Sequence, residues 1–124
     1  MRRISTGSPF EKTLGYSRAI VKGGWCFVSG VTGYDYATMT MPDDVAAQAH
    51  NCFATIASVL DEAGFAMEDI VRVQYTLTDA ALVEAATPAL GAAMGDIRPA
   101  ATIVVAGLIK PEMLIEVEVT AFKG

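Results

Sequence analysis

Leu114-Ile115-Glu116-Val117-Glu118-Val119-Thr120-Ala121-Phe122 alternates apolar and polar side chains along most of its length. Successive side chains of a strand point to opposite faces. Ile115, Val117, Val119 and Ala121 therefore form a dry face, while Leu114, Glu116, Glu118 and Thr120 share the other. Such a strand belongs to a sheet with a core packed on one side. Residues 70–77 repeat the pattern: Val71, Val73, Tyr75 and Leu77 point one way, and Arg72, Gln74 and Thr76 the other.

The element that covers the dry face lies just upstream. Val45, Ala49, Cys52, Phe53, Ile56, Leu60 and Ala63 follow the 3.6-residue period of one helix face. Pro42 and Asp43 open the segment, and Asp43 or Asp44 can cap its first free N–H groups. Gly64 stops it by accepting a left-handed conformation. A second, Ala-rich helix is predicted over about 81–94, with Thr78 or Asp79 as its cap and Pro88 as a kink or its true first turn. Residues 16–22 and 25–32 read as two strands joined by a Gly23-Gly24 turn. Residues 101–106 read as a buried strand rich in β-branched side chains, and 107–113 as a connection. The first fourteen residues are polar and turn-rich, with a short strand at 3–5. The order β-β-β-α-β-α-β-β implies an α+β fold, a mixed sheet with two helices on one face.

Length and composition bound the rest. The 124 residues make one domain, 1–124, able to bury a core without disulfides or metal. Apolar residues are 52%, more than one small core hides, so part of them is expected at a subunit interface; an Ala-rich monomeric core is the alternative. The net charge of −5 argues against a nucleic-acid partner, and Arg2-Arg3 is too short for a basic arm. No apolar run approaches the ~20 residues of a membrane span, and no apolar run follows the charged start, so no membrane partner and no signal peptide are expected. Cys26 and Cys52 make no disulfide framework and read as buried thiols of a cytoplasmic protein.

The residues exclude several chemistries. No phosphate loop or dinucleotide fingerprint is present. With His50 as the only histidine, a His-based metal site, a Ser-His-Asp triad and a two-histidine ribonuclease are all excluded within one chain, and no metal is expected. His50 itself reads as a helix-surface residue. Glu116 and Glu118 lie roughly 7 Å apart on one face. A carboxylate there could serve as a general acid or base with a raised pKa, or stand on a solvated face, or pair with Arg18, Arg72 or Arg98. Tyr16 and Arg18, two apart on an expected strand, could together read a carboxylate, or be a packed ring beside a surface charge. Gly30 could expose a backbone N–H to a ligand or only let two backbones approach.

Five blocks in fixed order resemble the RidA/YjgF family, also known as endoribonuclease L-PSP. They are Gly15-Tyr16-Ser17-Arg18-Ala19 with Phe27-Val28-Ser29-Gly30, then Val59-Leu60-Asp61-Glu62-Ala63-Gly64, Asp69-Ile70-Val71 leading into Thr76-Leu77-Thr78-Asp79, Arg98-Pro99-Ala100-Ala101-Thr102, and Leu114-Ile115-Glu116-Val117-Glu118. The resemblance implies a homotrimer of chorismate-mutase-like fold with small-molecule clefts between subunits and no cofactor. It also implies hydrolysis of reactive enamines and imines to 2-keto acids and ammonia. It places Tyr16, Gly30 and the catalytic Glu116 in the cleft, with Thr87 at an asparagine position and Ile103 at a cysteine position. The family's arginine position holds Ala101, so Arg18 or Arg98 is left to bind a substrate carboxylate, or the pocket serves another small molecule. The competing functions are a trimeric metabolite-binding protein without turnover, RNA cleavage, and a chorismate-mutase activity that shares only the fold.

Overall fold

The computed structural model describes residues 1–124. Its elements are β1 (Arg2–Ile4), α1 (Pro9–Leu14), β2 (Ala19–Lys22), β3 (Trp25–Thr32), α2 (Val45–Ala63), a 3₁₀ turn (Met67–Asp69), β4 (Ile70–Leu77), α3 (Leu82–Met94), β5 (Ala100–Val105) and β6 (Ile115–Phe122). The strands form one mixed sheet in the order β1-β2-β3-β6-β4-β5, antiparallel except for the β4–β5 pair. The fold is thus α+β, as the sequence order implies.

Helix α2 follows from its local code. Asp44 is the N-cap, its carboxylate accepting from the Ala47 N–H at 3.1 Å, and Gly64 ends the helix at φ 84°. All seven residues of the expected apolar face are buried, against Ile115, Val117, Val119 and Ala121 of β6 among others. Helix α3 packs beside α2 and continues through Pro88. Asp79 accepts from the Ala81 N–H in the preceding turn and is not the helix cap, which is Ala81.

Several expectations need correction. The segment 16–22 is a strand only from Ala19; Tyr16 and Ser17 precede it in irregular backbone. Helix α1 was not expected, although Ser8 caps it and Pro9 occupies its first turn, a start signal in plain view. Val71 is exposed and Ile70 is buried in its place, because a register shift between Ile70 and Arg72 turns the chain over. The largest difference is β5. Every one of its residues is exposed, not buried. It is one of the two edge strands, and no strand pairs with its outer side within the chain.

Candidate functional site

A second irregularity makes the site. In the β3–β6 ladder Val28 pairs with Val119 but Val31 pairs with Val117, so Ser29 and Gly30 bulge out of register. A bulge leaves carbonyls without ladder partners. Arg18 supplies them: its Nη1 donates to the Ser29 carbonyl at 3.1 Å and to the Gly30 carbonyl at 2.7 Å. In return the Ser29 N–H donates to the Arg18 carbonyl at 2.9 Å, and the Ser29 hydroxyl to the Ser17 carbonyl at 2.7 Å. The bulge and the segment before β2 hold each other in place.

Arg18 as a whole is 1% exposed, and its guanidinium lies in the cleft wall. It lies 5.5 Å from the ring centres of both Tyr16 and Tyr36, and its Nη2 donates to the Tyr16 hydroxyl at 3.2 Å. None of its hydrogen-bond partners is a carboxylate, and its Nε is buried with no partner at all.

Glu116, on β6 opposite Thr32 and Thr76, lies over Gly30. A Cβ built on Gly30 would stand 2.5 Å from the Glu116 Cδ, so only glycine leaves that carboxyl its place. Burial holds the Glu116 carboxyl above the usual range; Glu118 adds to the rise and Arg18 opposes it. Burial likewise raises the Tyr16 phenol, which stays protonated at neutral pH.

These groups line one cleft of about 420 Å³. Tyr16, Arg18, Gly30, Tyr36 and Glu116 line it together with the apolar side chains of Phe10, Leu14, Leu108, Ile109 and Met113. Four of the expected site residues, Tyr16, Arg18, Gly30 and Glu116, are therefore brought together. The other four are not in this cleft. Thr87 is exposed on α3 with its hydroxyl donating to the Val83 carbonyl at 2.7 Å. Arg98 is exposed in left-handed backbone at φ 51°, and Ala101 and Ile103 are exposed on β5. Sequence reasoning missed Tyr36, Phe10 and Ile109, which sit on a loop, a one-turn helix and a connection where no periodicity marks them. The structure holds no group of three or more His, Cys, Asp or Glu side chains arranged for a metal ion, and no helix long and apolar enough to cross a membrane.

Comparison with known proteins fits this geometry. The chain is 30% identical, over all of its length and 93% of the relative's, to an uncharacterized protein of Streptomyces coelicolor. Its fold matches the crystal structure of Rv2704 from Mycobacterium tuberculosis, described as a member of the YjgF/YER057c/UK114 family, with a TM-score of 0.90, 34% identity and 98% of each chain covered. It also matches RidA from the Antarctic bacterium Psychrobacter, with a TM-score of 0.81 and 26% identity over 87% of this chain and 88% of that one. Residues 6–123 match the family described as Endoribonuclease L-PSP, and the chain belongs to that family, the RidA/YjgF proteins.

Proposed function

We propose that this chain, one domain over 1–124, is a cytoplasmic RidA-like hydrolase that deaminates small imines or enamines in the Tyr16–Arg18–Gly30–Glu116 cleft. The observation that carries this reading is the Glu116 carboxyl, partly buried over Gly30 and held above its ordinary pKa in an open cleft beside Tyr16 and Arg18. A carboxyl raised toward neutrality serves both halves of such a reaction. As the carboxylate, Glu116 takes a proton from water while the water oxygen bonds to the carbon of the nitrogen-protonated imine and the C=N pair passes to nitrogen, giving a neutral carbinolamine. As the acid, it returns that proton to nitrogen as the C–N bond breaks; the hydroxyl proton is lost, the carbonyl forms and ammonia departs.

The active form in this proposal is a homotrimer. Thr87, Arg98, Ala101 and Ile103 lie on the exposed surface away from the cleft, so they reach a ligand only if a neighbouring copy presents them. The uncovered β5 and the exposed Trp25, Phe27 and Phe122 supply apolar surface for that contact. The buried, unpaired thiols of Cys26 and Cys52 suit a reducing compartment.

The test is ammonia and keto-acid release from imines generated in place by an amino-acid oxidase. Wild type is expected to accelerate release over buffer, and Glu116→Gln to lose about 10²-fold or more of that acceleration while still folding. A Glu116→Gln variant of wild-type activity would remove Glu116 from the mechanism. A silent wild type would leave the chain as a metabolite-binding protein.

A further inference from the structure

The Glu116 cleft is not the only concavity. A second, of about 350 Å³, lies where the loop after β3 meets α2. Asn51, Thr55 and Ser58 are four and three residues apart, so they share one side of the helix, a polar strip beside the apolar stripe that meets the sheet. Tyr34, Asp35 and Tyr36 of the loop line the cavity with them. Of the cleft residues only Tyr36 belongs to both; Tyr16, Arg18 and Glu116 do not line this cavity.

The loop holds Asp35 in place. Its N–H donates to the Thr40 carbonyl at 2.8 Å, its carbonyl accepts from the Met39 N–H at 2.7 Å, and its Oδ1 accepts from the Ala37 N–H at 3.0 Å. Asn51 ties the loop to α2, its Nδ2 donating to the Gly33 carbonyl at 3.0 Å. These bonds decide which atoms are left over. Asp35 Oδ2 and Asn51 Oδ1 accept nothing from the protein, and the hydroxyls of Thr55 and Ser58 have no protein partner. Asp35 is exposed and Asn51 half-buried, so both acceptors are within reach of a ligand.

The lining contains no Lys, Arg or His, and Asp35 is its only formal charge. Its only side-chain nitrogen is the Asn51 Nδ2 already bonded to Gly33. A ligand there meets acceptors and hydroxyls, and an anion meets no cation. A primary ammonium is the complement: three donors, no acceptor and one positive charge. Its bond to a carboxylate is charge-assisted. The Tyr34 and Tyr36 rings, edge to face with centres 6.0 Å apart, offer apolar surface to a carbon chain. Arg18 already faces the Tyr36 ring, so the rings suit the chain of the ligand and Asp35 its charge. The net charge of −5 favours the approach of cations.

We propose that this cavity is a second binding site, for a small primary amine in its ammonium form. The ammonium is received by Asp35 and Asn51 Oδ1, with the Thr55 and Ser58 hydroxyls as further acceptors, and its carbon chain lies against Tyr34 and Tyr36. The site is separate from the Glu116 cleft and does not depend on what that cleft does.

Nuclear magnetic resonance titration of the full chain with four probes tests it: butylammonium, tetramethylammonium, butan-1-ol and glycerol. Butylammonium is expected to shift the backbone signals of residues 34–36 and 51–58 and to bind about tenfold tighter than the other three, which lack either the donors or the charge. Asp35→Asn keeps an oxygen for the Ala37 N–H and should lose that about tenfold advantage without unfolding. Thr55→Val should give a smaller loss. Glu84→Gln removes an exposed carboxylate of α3 outside the lining and should change nothing. Equal binding of tetramethylammonium would overturn the proposal, since charge without donors would suffice. Tighter binding of glycerol would overturn it in favour of a polyol. Equal losses in Asp35→Asn and Glu84→Gln would reduce the effect to diffuse attraction by an acidic protein, and absence of any shift with butylammonium would remove the site.

Discussion

At the scale of the residue, the folded chain binds the Glu116 proton more tightly than the unfolded chain does, because burial, with Glu118 behind it, disfavours the charged form. The sign of the stability effect follows. Below the unfolded pKa both states are protonated and the residue has no pH-dependent effect. As pH rises through the folded pKa, stability falls, and the loss is complete above it. Glu116→Gln keeps the shape and removes the charge. It is expected to melt a few degrees above wild type at pH 7.5, with the gain vanishing near pH 4. Thermal unfolding at the two pH values checks this; an equal gain at both would assign the effect to packing. The same residue shows what a sequence can disclose at this scale. Period-two alternation places Glu116 on the polar face of β6, but the distance over which it meets Gly30 depends on a bulge in β3 that no pattern in residues 25–32 announces. Tyr36 escapes altogether, because a loop residue is positioned by partners distant in sequence. Its hydroxyl bonds to Thr32 at 3.3 Å and its ring faces Arg18.

At the scale of the element, the cleft's apolar wall is a connection without secondary structure, and a single side chain of α2 secures it. Gln48 is fully buried. Its Nε2 donates to the carbonyls of Pro42 and Glu112 at 2.8 and 3.0 Å, and its Oε1 accepts from the Leu114 N–H at 2.9 Å. The start of α2 and the start of β6 are thereby tied to the 107–113 connection. Gly33 allows the approach, since a Cβ there would stand 2.5 Å from the Gln48 Cβ. Gln48→Leu leaves two carbonyls and an N–H unpaired and is expected to cost about 2–4 kcal/mol. Denaturant unfolding gives the cost, and hydrogen exchange should quicken at Leu114. Unchanged exchange there would mean that other contacts hold the connection, the Tyr34 hydroxyl donating to Glu112 at 2.6 Å being the first of them. The contrast with α2 explains which elements are legible. Helix α2 carries its cap, its period and its stop within its own residues, and β6 carries its alternation. The β-branched composition of β5 gives a strand but not its surroundings, since burial of an edge depends on what lies beside it.

At the scale of the whole molecule, the helix-free face of the sheet and the β5 edge pose one question. Trp25 stacks on Phe27 at 6.0 Å and meets Phe122 at 4.6 Å between ring centres, and all three rings are substantially exposed. On β5, Ile103, Val104 and Val105 are exposed as well. A long apolar edge strand invites pairing, and proteins that keep one usually cover it. The chain leaves two apolar surfaces open, the aromatic patch on the central strands β3 and β6 and the β5 edge, which suits a closed ring in which each copy uses both. A three-membered ring is expected in solution, giving three chain masses by light scattering. Trp25 is the only tryptophan, so its emission reports directly on the covered face. Dilution should shift that emission to the red as the ring separates. Phe27→Glu places a charge in the aromatic patch and is expected to yield a monomer with red-shifted emission at every concentration, since a desolvated unpaired carboxylate opposes association. A trimeric Phe27→Glu would assign the contact to β5, where Val105→Asp is the corresponding variant. A monomeric wild type would mean that Thr87, Arg98, Ala101 and Ile103 never meet a ligand, and that the Tyr16–Arg18–Glu116 cleft of one chain is the entire site.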